Sequence, residues 1–160
     1  MKKETMLKSL WCRQRFHPII AEDEAIALRL SRVYLRIKEL GYTDSIVFDI
    51  VEKAEGAVAG EIALRIGEDK SLFYLGHIGY HVDLPYQGRH FARKACRLCR
   101  PLLLQLGMDS VIITTDEDNI PSIQTCRRIG CEWECTVDVP MWCIAEFQIN
   151  ARKQRYVWQL

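Results

Sequence analysis

The first apolar pattern in the chain, Ile26, Leu30, Val33, Ile37 and Leu40, has spacings of four, three, four and three, the period of a helix with one buried face. Glu22, Asp23 and Glu24 would stand at its positive end and Gly41 just past its last turn, so an amphipathic helix is predicted here. A strand around Leu10 to Phe16 is a weaker signal before it. The pattern then changes to short apolar runs. Ser45 to Glu52 and Val58 to Ile66 read as strands joined by a turn near Glu55-Gly56, and Gly67-Glu68-Asp69-Lys70 turns the chain into a third, about Leu72 to Asp83. Three strands linked by short polar turns predict an antiparallel meander.

A second helical pattern opens near Gly88 and runs to Leu106, with Phe91, Ala95, Leu98, Leu102 and Leu106 as its buried stripe. Pro101 lies inside it and should kink it, a defect of about 3 kcal/mol if uncompensated. Val111 to Thr115 reads as a strand. Asn119 then caps a helix that tolerates Pro121 in its first turn and ends at Gly130. Strands are predicted around Glu132 to Val139 and Gln154 to Leu160, with residues 141–153 an irregular connection or short helix. No repeat, low-complexity tract or linker interrupts the 160 residues, which predicts a single domain over 1–160.

The chemistry enters where Gln87-Gly88-Arg89-His90-Phe91-Ala92 follows the apolar run Ile78 to Val82 and opens the long helix. A strand turning sharply into a helix aims unpaired N–H groups and a positive dipole end at one small volume, which suits a diphosphate. The spacing matches neither a Walker-type loop nor a dinucleotide fingerprint. Gln-x-x-x-x-Ala, followed by Asn119-Ile120-Pro121-Ser122 and then Gly130, resembles instead the GNAT superfamily of N-acetyltransferases over roughly residues 44 to 137. That resemblance implies an α+β, sandwich-like fold, a mixed and mostly antiparallel central sheet of about six to seven strands flanked by helices. It also implies transfer of an acetyl group from acetyl-CoA, as cosubstrate, to a primary amine by direct attack in a ternary complex. Main-chain groups about Val82 would pair with the pantetheine arm. The amides of Gln87, Gly88, Arg89, His90, Phe91 and Ala92 would hold the diphosphate, and Asn119, with Ser122 in the same motif, would reach the pantetheine. The pattern departs from the family at His90, where glycine is usual, and at Cys126, where many members carry a tyrosine.

Charge decides what the mechanism must supply. A lysine-like amine near pKa 10.4 costs roughly 4.6 kcal/mol to neutralise at pH 7, and a terminal α-amine near 7.8 only about 1 kcal/mol. For a base, period-two alternation places His77, Gly79, His81 and Asp83 on one strand face. His77 matches a position where some family members carry a glutamate, and its rival role is a hydrogen bond within or beside the sheet. Glu61 on the neighbouring strand is the reserve base, against a solvated or salt-bridged carboxylate. Cys126 could protonate the departing thiolate, or pack while water does so.

Composition narrows the partners. A net charge of +1 gives no global attraction to nucleic acid or anionic membrane. Arg89, Arg93, Lys94, Arg97 and Arg100 make one helix side basic, a solvated face from which Arg89 or Arg93 could meet the 3′-phosphate of CoA. Seven cysteines, an odd number without a signal peptide, predict reduced thiols in a cytoplasmic protein and no metal. Cys96 with Cys99 and Cys131 with Cys135 could form a zinc site, but small buried thiols fit the helical and strand patterns better. The expected partner is a small-molecule or peptide amine, with no nucleic acid and no membrane, and an exposed edge strand near the C-terminus is compatible with a homodimer. The rival functions are a catalytically silent CoA-binding module and a cysteine-based zinc module.

Overall fold

A computed structural model describes residues 2–35 and 43–160. Helix α1 (Lys3–Arg13) leads into strands β1 (Ile19–Glu22), β2 (Ile26–Tyr34), β3 (Asp44–Glu52) and β4 (Val58–Ile66), a single helical turn α2 (Leu72–Leu75) and β5 (Ile78–Val82). Then come α3 (Phe91–Gln105), β6 (Ser110–Thr115), α4 (Ile120–Ile129), β7 (Glu132–Asp138), α5 (Met141–Phe147) and β8 (Arg152–Gln159). The fold is the expected α+β sheet flanked by helices. The sheet predicted as one is divided in two, five antiparallel strands in the order β1-β2-β3-β4-β5 and three in the order β6-β8-β7.

The amphipathic helix predicted from Ile26 onward is a strand, and the reason is a bulge. Ile26, Leu28 and Leu30 are buried at period two, then the register slips between Leu30 and Arg32. One extra residue shifts the alternation by one position, so Val33 takes the next core site and the apolar spacing imitates a helix. Ile37, Leu40 and Gly41 lie outside the described residues. The acids at 22–24 mark a hairpin turn instead of a helix start, since Asp23 Oδ1 accepts the N–H groups of Ala25 and Ile26, each at 2.8 Å. The strand predicted at Leu10 to Phe16 is the end of α1 and a 3-10 turn. The strand predicted from Leu72 begins only at Ile78, because Asp69 Oδ1 caps α2 by accepting the N–H groups of Ser71 (2.6 Å) and Leu72 (3.1 Å).

Helix α3 runs through Pro101. Arg97 and Pro101 are both exposed, so the carbonyl that loses its donor faces water. Its buried side holds Phe91, Ala95, Cys96, Cys99, Leu102 and Leu103, with Leu98 only half-buried. The two sheets share one apolar core, from Ile26 and Phe48 in the first to Tyr156 and Trp158 in the second.

They meet at a joint. The His77 N–H donates to the Ile112 carbonyl at 2.7 Å, and the Ile112 N–H donates back to His77 Nδ1 at 2.9 Å. A Cβ at Gly76 would lie 2.8 Å from the Ile112 oxygen, so glycine permits the approach. Arg155, also buried, ties α2 to the second sheet. It donates to the Phe73 carbonyl and to Glu134 at 2.6 Å.

Candidate active site

Where the chain leaves β5, Leu84–Tyr86 forms a 3-10 turn and Gly88 and His90 take left-handed backbone, φ +81° and +62°. Glycine reaches that region freely and histidine with some strain. The first bond into α3 runs from the Lys94 N–H to the His90 carbonyl at 3.1 Å, so the amides of Phe91 to Arg93 have no acceptor within the helix. There is no acid in the first turn and no side-chain cap, leaving a positive helix end open to an anion.

This end faces a cavity of about 710 Å³ between β5, α3 and α4. Of the residues expected to bind the cosubstrate, Val82, Gln87, Gly88, His90, Phe91, Ala92, Asn119 and Ser122 all line it. Gln87 folds back so that Nε2 donates to the Val82 carbonyl at 3.0 Å. A Cβ at Gly88 would meet nothing within 4 Å, so the backbone there is bare. Arg128 Nη1 donates to His90 Nδ1 at 3.2 Å, which leaves the proton of a neutral ring on Nε2. Arg93 lines the cavity too, and its buried Nε has no hydrogen-bond partner. Arg89 does not line it. Its guanidinium lies over Tyr86 and Phe91, 5.5 and 6.0 Å from the ring centres, and 3.8 Å from Glu52.

A second cavity of about 210 Å³ opens beside the first and shares Tyr80, Asn119 and Ser122 with it. Asn119 Oδ1 accepts the Ser122 N–H at 3.2 Å, the N-cap of α4, and so fixes Ser122 at the boundary. There Ser122 Oγ and the Tyr80 hydroxyl hydrogen-bond at 2.9 Å. Burial pushes the Tyr80 phenol well above its ordinary value, keeping it protonated at neutral pH. Tyr80 is not marked as a site residue by the sequence, where it stands among apolar positions on the strand face opposite Gly79 and His81. Its signal was the alternation itself, which sets Ile78 and Tyr80 on the helix side of β5.

The three expected catalytic residues are not brought together. His77 is 5% exposed, lines neither cavity and spends Nδ1 on the joint. Its Nε2 has no hydrogen bond, with Glu68 Oε1 at 3.5 Å. Burial lowers its pKa, against the pull of Glu68. Glu61 is ion-paired with Arg32 at 2.7 Å, on the sheet face that also carries the Arg29–Asp49 pair. Cys126 is fully buried one helical turn beyond Ser122, and its neighbour Cys131 lowers its pKa against the effect of burial, with a smaller contribution from Tyr80. The hydrogen bond to Cys126, followed by burial, pushes the Cys131 thiol up. Burial does the same to Cys96 and Cys99 inside α3. Cys135 stands apart on β7, and among the described residues no helix is long and apolar enough to cross a membrane.

A family model described as "Acetyltransferase (GNAT) domain" matches residues 5–132. No curated protein matches the sequence. Among solved structures, the fold is similar to that of the microcin C7 self-immunity acetyltransferase MccE in complex with acetyl-CoA and AMP, at 18% identity and a TM-score of 0.58. That match covers 72% of this chain and 61% of MccE, so the chain spans about three fifths of that protein. An apo structure of RimL, a ribosomal L7/L12 alpha-N-protein acetyltransferase, matches over 89% of this chain and 94% of its own, at 16% identity and a TM-score of 0.64. The Salmonella typhimurium acetyl transferase that modifies the N-terminal serine of L7/L12 matches over 78% and 67%, at 17% identity and a TM-score of 0.56. At these identities the likeness is one of fold.

Proposed function

The chain belongs to the GNAT acetyltransferase family, and from that premise we propose that it transfers the acetyl group of acetyl-CoA to a primary amine, by direct attack in a ternary complex within a single domain. Acetyl-CoA supplies the acetyl group as an activated thioester. The observation that carries the reading is the meeting, around one cavity, of an uncapped helix end, the bare backbone at Gly88 and the Arg93 side chain. These are donors without acceptors, as a diphosphate requires. The amides of Gly88 to Ala92 and the Arg93 guanidinium take the anionic end. Val82, Asn119 and Ser122 face the arm.

Ser122 Oγ is assigned as the relay for the proton that passes from the attacking nitrogen to the leaving sulfur, taking the amine's proton as it gives its own to the thiolate. With the protonated Tyr80 hydroxyl donating to Ser122 Oγ, the Ser122 O–H is free to turn into the cavity. Cys126 is fully buried and lines neither cavity. His77 holds the joint between the sheets and acts by position. The smaller cavity, on the far side of the Tyr80–Ser122 pair, admits the amine. Among the described residues its one acid, Asp116, is bound to Lys153 at 2.5 Å, so an amine that is easily neutralised suits it.

Thiol release with a panel of amines tests the reading, alongside calorimetry with acetyl-CoA. Ser122→Ala should lower kcat by about 100-fold, within the range for a general acid, and leave acetyl-CoA affinity within a few-fold. Wild-type turnover in Ser122→Ala would take Ser122 out of the mechanism. Saturable binding without thiol release from any amine would make the protein a silent CoA-binding module.

A further inference from the structure

The smaller cavity carries a cation that, among the described residues, has no ion-pair partner. Arg65 lies on β4, on the sheet face away from the core, and its side chain forms part of the cavity wall. Nη1 donates to the Gly76 carbonyl at 3.1 Å and the Leu75 carbonyl at 3.4 Å. Among the described residues no carboxylate forms an ion pair with it. Asp69 acts on it only from further off, its Oδ1 occupied by the amides of α2.

Gly79 on β5 makes room for the group. A Cβ there would come within 3.2 Å of Nη2 and 3.3 Å of Nη1, so a side chain would push the guanidinium away from the opening. The other cation on the wall, Lys153, is neutralised by Asp116. Among the described residues the wall therefore holds one cation without an ion pair and no free acid. Burial disfavours that charge, yet a guanidinium does not shed its proton in proteins. A cavity for a simple ammonium compound would carry the opposite sign.

Resting on the acetyltransferase reading, we propose that the acceptor is a small amine that also bears a carboxylate, and that Arg65 receives the carboxylate while the amine points to the Tyr80–Ser122 pair. A guanidinium whose Nη1 is held by two carbonyls still offers N–H groups to a carboxylate in fork geometry. The cavity, about 210 Å³, falls below the roughly 300–1,000 Å³ of ordinary ligand pockets, so little more than an amino acid or the acidic first residue of a peptide enters it.

Matched acceptors test this by thiol release. Alanine is compared with alaninamide and ethylamine, which lack the carboxylate, and the dipeptide amide Asp-Ala with its Asn-Ala counterpart, each rate being referred to the neutral amine because the carboxylate also raises the amine's pKa. In the wild type, kcat/KM should favour the carboxylate-bearing member of at least one set by about 10-fold or more. The set that shows it separates free amino acid from peptide. Arg65→Gln should bring the ratio to about one, and Arg65→Lys should keep part of it. Acetyl-CoA affinity, measured by calorimetry on both variants, shows that the fold is intact, and Arg65→Lys decides if Arg65→Gln fails that check. Equal rates for charged and neutral acceptors, a preference that survives Arg65→Gln or is undiminished in Arg65→Lys, or turnover of neutral amines alone would overturn the inference and leave the acetyltransferase reading standing. Wild-type protein that binds no acetyl-CoA would remove that reading and this one with it.

Discussion

His77 shows how burial turns a candidate catalyst into a structural group. The sequence places it on a strand face with Gly79 and His81 and gives it a pKa suited to neutral pH, whereas in the fold it stands one residue before β5 and burial lowers that pKa. Its partner is the peptide of Ile112, 35 residues away, and no local pattern announces that contact. The consequence is measurable. The unfolded chain takes up the proton near pH 6.5, whereas the buried ring, its pKa lowered by burial, takes it up only at lower pH. The unfolded state thus binds more protons between the two values, so the contribution is complete above about pH 6.5 and lost as pH falls to the folded-state pKa. Urea unfolding from pH 7.5 to 5 should show this loss, at most about 1.4 kcal/mol per pH unit, and His77→Gln should flatten the curve in that window. An unchanged pH dependence in the variant would mean that His77 is not the group responsible. His90 is the converse case. It takes the left-handed backbone that the motif reserves for glycine, with its ring held by Arg128.

At the scale of elements, legibility followed the range of the signal. Strands β3 and β4, the Gly56 turn, the Asn119 cap and the Gly130 stop are each specified within a few residues, and all appear where the sequence puts them. Strand β2 was misread because the Leu30/Arg32 bulge changes the period of its apolar residues, and a bulge depends on the facing strand. The turn from β5 into α3 belongs to the legible class, and its function depends on backbone alone. Gly88→Val would place a branched side chain at φ +81°, costing about 1–2 kcal/mol of stability, and would project it into the cavity. Calorimetry should show acetyl-CoA affinity lowered by about 100-fold or more, corresponding to roughly 2.7 kcal/mol. Retained affinity would show that the diphosphate does not lie against this backbone.

Across the whole molecule, two sheets share a core but are bridged by a short joint of hydrogen bonds at Gly76–His77 and Ile112–Ile113. Both cavities open beyond that joint, lined by β5 on one side and α4 on the other, so a molecule seated there touches elements from both halves. Binding to the folded state alone should stabilise it by about 2.7 kcal/mol at 100 times Kd. For a chain of this length that raises Tm by roughly 5–10 °C, readable by scanning calorimetry with acetyl-CoA. An unchanged Tm at saturating acetyl-CoA would contradict binding at this site.

The sequence by itself determined the turn from β5 into α3, the antiparallel run from β3 to β4 and the caps of α4, because each is written in neighbouring residues. The tertiary structure alone decided that Tyr80 meets Ser122 across 42 positions, that Cys126 is fully buried and lines neither cavity, that His77 joins the sheets, and that Arg65 lies beside Gly79 without an ion-pair partner among the described residues. Those outcomes depend on which strand faces which and on where a bulge shifts the alternation. They are settled only when distant segments bury a common core.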